Sequence, residues 1–429
     1  MRRLTYILVA LTLPLLATAQ VTVSGTHYEL PKPVNTDHVI LFADLTQPDA
    51  YLAYTGADAF EWRDLNGATI QSGTGAETLY PENDKGYVLY TADTTICFYV
   101  LDYSQYRPTL NSLTPTPGCD QTELALDAVL PTMRYFDRYQ MLHDIVRQAE
   151  IEYTTLAWDE ANNAWADSTA VETVRILPTM VVGAPYRDTQ FVLRTDQFAA
   201  ELGLERDSIL TDEMAAIAVT SHPTSITTKR GEQRENELER PIEETQLSGS
   251  APLEIHFLAN ANKPVAQFYR WEIYKGTNLI ASRTDEEQRY MFLEDGSYQV
   301  KVWVANEFCT TDSTVFDISV STSQLVVPNA FTPNGDGLND EFRVMYRSLM
   351  EFHCWIYNRW GKLVYQWDDP AKGWDGTING RPAAAGAYYY IIRARGTDAD
   401  PSVKYHKTTK RRPADVGVYQ LSGDINLIR

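Results

Sequence analysis

The residues whose types and spacing could do chemistry gather near the C-terminal end of the chain. Thr332-Pro333-Asn334-Gly335-Asp336-Gly337-Leu338-Asn339-Asp340 overlaps the D-x-[DN]-x-[DN]-G calcium loop, in which oxygens ring the ion. In that register Thr332 stands where the first Asp belongs, and Arg343 takes the place of the bidentate Glu. Two carboxylate ligands are missing, so calcium at 332–340 is the weaker reading and a hydrogen-bonded Asx/Gly turn the stronger. Asp375, in Trp374-Asp375-Gly376, resembles half of a glycosidase pair, yet no second strand-end carboxylate can be named beside it. It is expected to hold a turn. The seven His form no H-E-x-x-H pair, and there is no G-x-S-x-G elbow or G-x-x-x-x-G-K-[ST] phosphate loop. No enzyme is expected.

Short strands must position these residues. Pro328 to Phe342 packs Pro, Asn, Asp and Gly between two apolar ends, which fixes a loop. Phe352-His353-Cys354-Trp355-Ile356-Tyr357 and Lys362-Leu363-Val364-Tyr365, joined by Asn358-Arg359-Trp360-Gly361, read as a β-hairpin. The turn pair Asn379-Gly380, the strand Gly386 to Ile392 and the closing Gly423 to Arg429 complete an aromatic-rich antiparallel sandwich.

In this stretch PNAFTPNGDGLND (328–340), IYNRWGKLVY (356–365), GWDGTINGR (373–381), GAYYYII (386–392) and the terminal GDINLIR (423–429) occur in order. The stretch 325–429 resembles the type B C-terminal sorting domain, also called the gliding-motility-associated C-terminal domain, of the type IX secretion system of Bacteroidetes. The resemblance implies a folded sorting signal, with the outer-membrane translocon and its associated sorting proteins as partners. The residues carrying it are Asn329, Phe331, Pro333, Asn334, Asp336, Gly337, Asn339, Asp340, Asn358, Arg359, Trp360, Gly361, Trp374, Asp375, Gly376, Gly386, Tyr388 and Arg429. They are expected to build either the recognised surface or the turns beneath it, and the sequence does not separate the two roles.

At the other end, Met1-Arg2-Arg3, the apolar run Leu4 to Leu16 and Ala17-Thr18-Ala19 describe a secretory signal peptide over 1–19. The apolar run is too short to span a membrane. A formal net charge of −20 disfavours nucleic acid or anionic membrane as a partner and suits solubility outside the cell. The basic run Lys404, His406, Lys407, Lys410, Arg411 and Arg412 reads as a solvated loop ahead of the last strand, with acidic polysaccharide as the second reading. The 429 residues give room for three or four domains, and 26 Tyr with 9 Trp suit twisted sheets.

Residues 20–113 read as a β-sandwich, with strands at His38–Phe42, Tyr87–Tyr90 and Ile96–Val100 and a hairpin turning at Asn66-Gly67. Thr114-Pro115-Thr116-Pro117-Gly118 reads as a boundary. Residues 118–220 read as a sandwich with a helix. Tyr135, Tyr139, Leu142, Ile145, Val146 and Ala149 recur at helical spacing, and Thr195 is placed to cap a short helix ending at Gly203. The Thr-, Lys-, Arg- and Glu-rich stretch 221–247 reads as an exposed linker. Cys97, Cys119, Cys309 and Cys354 are too scattered for zinc. Cys97–Cys119 is the favoured disulfide, and Cys309 and Cys354 are either paired or buried thiols.

Residues 248–321 alternate apolar and polar side chains at Tyr298-Val300-Val302-Val304 and resemble a PKD-type immunoglobulin-like domain with Trp271 as core tryptophan. Asp295-Gly296-Ser297-Tyr298 places Tyr298 at a sandwich corner. The expected fold is all-β: tandem immunoglobulin-like sandwiches ending in a C-terminal β-sandwich sorting domain. The expected function is that of a cell-surface protein exported by type IX secretion and acting in adhesion or envelope interaction, with a surface glycan or protein as ligand. The alternatives are a carbohydrate-binding module protein and a structural accessory of the secretion or gliding machinery.

Overall fold

The computed structural model describes residues 21–31, 38–231, 234–242, 246–399 and 417–429. The leader expected at 1–19 and the basic run from Lys404 to Arg412 lie outside the described residues. The chain is all-β, built as successive sandwiches. It forms two compact units, residues up to 157 with 165–218, and 158–164 with 219–429.

In the first unit a three-stranded sheet (Val21–Ser24, Tyr51–Tyr54, Glu77–Leu79) shares a core with a six-stranded one. Leu52, Tyr54 and Leu79 from the small sheet meet Trp62, Leu89 and Val100 from the large one. The expected hairpin forms: Asp64 accepts the N–H groups of Asn66 and Ala68, and Gly67 takes φ +88°.

The Pro-rich step lies largely inside the strand Thr109–Thr116. Pro115 pairs with Leu124 on an edge strand, where a missing N–H disrupts no ladder. The helical spacing from Tyr135 to Ala149 is overruled, since Arg134–Phe136 and Leu142–Asp144 pair as antiparallel strands. The fully buried Asp137 accepts the N–H groups of Tyr139 and Met141 at 2.9 Å each, and Gln140 at φ +63° closes the turn.

The helix is Gln197–Glu201, and its cap is Asp196 rather than Thr195. Asp196 accepts the Phe198 and Ala199 amides, Arg147 Nε at 2.6 Å and the Tyr103 hydroxyl at 2.8 Å. Burial, with the Asp196 charge added, raises the Tyr103 pKa. Thr195 instead hydrogen-bonds Asp207 O. The favoured cysteine pairing is corrected as well: Cys97 takes no part in a disulfide. Cys97 is a buried thiol in the Thr95–Asp102 strand, beside Val88.

The second unit holds two sandwiches. In the first, Ser248–Ser250, Thr314–Ser321, Gly296–Ala305, Phe268–Lys275 and Asn278–Arg283 form a five-stranded sheet in that order. Thr224–Thr227, Leu253–Leu258 and Glu287–Phe292 form the opposing sheet. Trp271, Phe257, Phe292 and Val304 fill the space between. The stretch 221–247 is thus no free linker, because Thr224–Thr227 is a sheet strand paired residue for residue with Ile255–Leu258.

The C-terminal sandwich repeats the same order with Ala330–Phe331, Val418–Leu427, Gly386–Gly396, Leu349–Tyr357 and Leu363–Trp367. In both sheets the first pair is parallel and the rest antiparallel. Among the described residues its opposing layer is much reduced, to the pair Gln324–Val326 and Met345–Arg347, a Phe342–Trp374 bridge and the two-residue ladder Thr377–Ile378 with Arg381–Pro382.

Candidate functional site

The motif residues of the C-terminal domain divide by what their side chains do. Phe331, Trp374 and Tyr388 are core. Phe331 and Trp374 lie with ring centroids 5.4 Å apart, and Tyr388 meets Trp374 edge-on at 5.0 Å. Trp374 Nε1 donates to Thr377 O at 2.8 Å, and the Tyr388 hydroxyl returns to Ala384 O at 2.9 Å. Both rings are thereby buried with their polar atoms satisfied.

A second group builds turns. The Asp340 carboxylate accepts the N–H groups of Asn334 (3.0 Å), Gly335 (2.6 Å) and Gly337 (2.8 Å). Those amides, Gly335 first, hold its pKa below the usual carboxylate range. Asp336 accepts Leu338 N, Asn334 accepts Asp336 N, and Asn339 O accepts Thr332 N. The loop's carboxylates thus accept hydrogen bonds from the loop's own backbone and from the Asn334 side chain, as in an Asx/Gly turn. Among the described residues no group of three or more His, Cys, Asp or Glu side chains is placed to hold a metal.

Asn358 accepts the amides of Trp360 and Lys362, both at 3.0 Å, and Gly361 at φ +75° finishes that hairpin. Asp375 accepts both the amide and the hydroxyl of Thr377. At Gly376, φ +75°, an added Cβ would come within 3.0 Å of Pro333 Cγ and 3.3 Å of Phe331 and Leu427. Only glycine suits that corner, and Arg429 Nη2 ties the chain end to its carbonyl at 3.1 Å. Asn329 contributes its carbonyl to Asn426 N, and Gly386 adopts φ +138° two residues before Tyr388.

A third group is free of structural duty. Trp360 is 80% exposed at the hairpin tip, with the Arg359 guanidinium stacked 5.1 Å from its ring. Strand register brings all the motifs to one end of the domain: Tyr357 pairs with Tyr389, Gly386 with Leu427, and Leu427 with Phe331. The preceding sandwich joins at the other end of the Leu349–Tyr357 strand, where Ser348 Oγ donates to Ser321 O and accepts Ala251 N. Nine residues of strand, about 25 Å, separate the two ends.

That junction also holds residues the sequence did not single out. Asn236 Nδ2 donates to the carbonyls of Val344 and Pro370, each at 2.7 Å. Asn236 O and Leu238 N take the N–H and C=O of Tyr346, so the 236–238 segment lies as an extra strand along Met345–Arg347. It covers an edge that would otherwise be open to pairing. Asn236 was hidden within a polar stretch; the one available signal was a neutral amide among charges.

Residues 325–407 match the CHU_C type IX secretion signal domain, and residues 113–211 match a fibronectin type III domain. Among solved structures, the FN1-FN3 domains of chicken CNTN1 align over 76% of this chain and 99% of theirs, at 9% identity and a TM-score of 0.21. Dimeric latent PorU from Porphyromonas gingivalis aligns over 78% of this chain but only 35% of its own, at 9% identity and a TM-score of 0.16. No curated protein matches. The immunoglobulin-like fold of residues 248–321 is compatible with a PKD-type domain. The chain therefore carries a fibronectin type III domain and, at its C-terminal end, a type IX secretion signal domain, the signal by which that machinery exports a protein to the cell surface or beyond.

Proposed function

We propose that this protein is a non-catalytic surface protein, delivered through a cleaved leader and then the type IX route, that acts in adhesion or envelope interaction. The observation that carries the reading is the segregation within the C-terminal domain. Core and turn residues hold a rigid end on which Arg359 and Trp360 stand exposed, away from the junction with the preceding sandwich. Exposed Trp and Arg are the side chains most enriched where proteins bind proteins. The sandwiches ahead of the signal domain supply sheet surface, which suits a binding role.

The test is to fuse residues 325–429, and separately residues 219–429, to a reporter in a type IX-competent bacterium. Both reporters are expected outside the cell, the longer one more abundantly because its strand edge at Met345–Arg347 stays covered. A reporter trapped in the periplasm in both cases contradicts the sorting reading. For adhesion, deleting the gene is expected to reduce attachment to surfaces or partner cells without blocking export of unrelated cargo. A general export block would make the protein part of the machinery instead. Glycan-array binding by residues 20–247 would identify a carbohydrate ligand.

A further inference from the structure

The solvent face of the five-stranded sheet in the immunoglobulin-like sandwich departs from the usual polar character of such faces. Trp271, Ile273, Val302 and Val304 point into the core, so strand alternation turns the even-numbered residues of Phe268–Lys275 and the odd-numbered residues of Gly296–Ala305 outward. Register sets them side by side: Phe268 with Ala305, Arg270 with Trp303, Glu272 with Lys301 and Tyr274 with Gln299. Three aromatic rings therefore stand on the side away from the core. Their neighbours hold them. The Arg270 guanidinium lies 5.7 Å from the centre of the Trp303 ring and pairs with Glu272, which accepts the Tyr274 hydroxyl at 2.6 Å. Lys301 Nζ sits 5.2 Å from the centre of the Tyr274 ring, and Gln299 donates to Asp317 on the next strand at 2.9 Å. At the far end the small Ala305 leaves a hollow of about 230 Å³ beside Trp303 and Phe268, whose ring is 54% exposed, and Arg270 and Thr310 also line it.

We infer that this face binds an uncharged polysaccharide chain, laid along the Phe268–Lys275 strand with one sugar seated in the hollow against Trp303 and Phe268. A sugar ring presents an apolar C–H face between hydroxyl edges, and the sheet answers it in kind, with separate ring faces alternating with hydrogen-bonding groups already fixed in place. A protein anchor instead needs a dry, contiguous apolar pocket. The charged groups between the rings are tied to partners on the same face, Arg270 to Glu272 and Lys301 to the Tyr274 ring, so the ligand they complement is neutral. Because these ties form without a ligand, binding has few side chains left to order. From Phe268 to Tyr274 the strand runs about 20 Å, room for several sugar units. The inference gives the adhesive reading a ligand class and, being read in vitro, can fail while that reading stands.

Calorimetric titration of the full chain with cellotetraose, laminaritetraose, mannotetraose and chitotetraose tests it. At least one should bind saturably at one site per chain, with the same affinity in low and high chloride because the ligand carries no charge. Trp303→Ala should weaken that binding at least tenfold and Phe268→Ala several-fold. The exposed Phe268 ring can be removed with the melting temperature unchanged, so this second variant carries the test if Trp303→Ala does not fold. No saturable binding of any of the four, or wild-type affinity in folded Trp303→Ala or Phe268→Ala, overturns the inference.

Discussion

The two sandwiches of the second unit use one sheet plan for different ends. Strand order and direction are the same in both five-stranded sheets, and each carries the same corner. Tyr298 returns its hydroxyl to Glu294 O and Tyr388 to Ala384 O, four residues back in each case. Each Tyr follows a glycine at strongly positive φ, Gly296 or Gly386, by two residues. They differ at the core. Trp271 pairs with Val302, four residues beyond its corner tyrosine, whereas the matching partner of Ile392 is Cys354. The C-terminal domain brings its large ring, Trp374, from a loop instead. Moving the anchor into a loop makes the loops part of the core, so a domain with a much reduced second sheet can still hold its loop end rigid. The immunoglobulin-like domain spends those residues on a full second sheet.

The comparison breaks most visibly at the anchors. Trp374→Ala should cost about 3–5 kcal/mol, as should Trp271→Ala, each measured by urea unfolding. A much smaller loss for Trp374 would mean that the loop is not core. Next, Asn236→Ala leaves two carbonyls without their donor and should cost about 1–3 kcal/mol, with faster hydrogen exchange at the Tyr346 amide. Tyr298→Phe and Tyr388→Phe should each cost about 1 kcal/mol if the corners are equivalent. Unequal losses would show that the shared plan is geometric only.

A smaller effect is expected from pH. The folded Asp340 pKa is depressed by its amide donors, so its support for the loop is complete above the ordinary carboxylate range. That support is lost as pH falls through the depressed folded value. Exchange of the Gly335 and Gly337 amides, followed by NMR down to low pH, should accelerate there, and Asp340→Asn should remove the dependence. The smallest effect on stability belongs to Trp360→Ala, within about 0.5 kcal/mol, because the ring is 80% exposed beside the Arg359 guanidinium. Its export should nevertheless fall clearly; unchanged export would remove Trp360 from the recognised surface.

Much of this was legible in the chain itself because it rests on local chemistry. The alternation Tyr298-Val300-Val302-Val304, the Asn358-Arg359-Trp360-Gly361 turn and the corner at Tyr298 each depend on residues within a few positions of one another. What escaped depends on distant partners. Asp137 and Asp196 override a helical period and a neighbouring cap through buried hydrogen bonds that no spacing reveals. Thr224–Thr227 looked like linker because only pairing with Leu253–Leu258 makes it a strand. The Cys97–Cys119 pairing failed because closeness to a boundary says nothing of sheet depth, and burial likewise keeps the Cys354 thiol protonated, with its pKa well above the usual thiol range. The division of the eighteen motif residues into core, turn and exposed tip needed the fold.

The central claim, that the C-terminal domain is a folded address and the domains ahead of it are what it delivers, meets its most direct test in cell fractionation. The full chain and a version ending at Ser323, which stays clear of every motif, should be expressed from the same promoter and located by immunoblot. The full chain should be found at the surface or in the medium, and the shortened one in the periplasm. The shortened chain outside the cell in normal amounts would contradict the account.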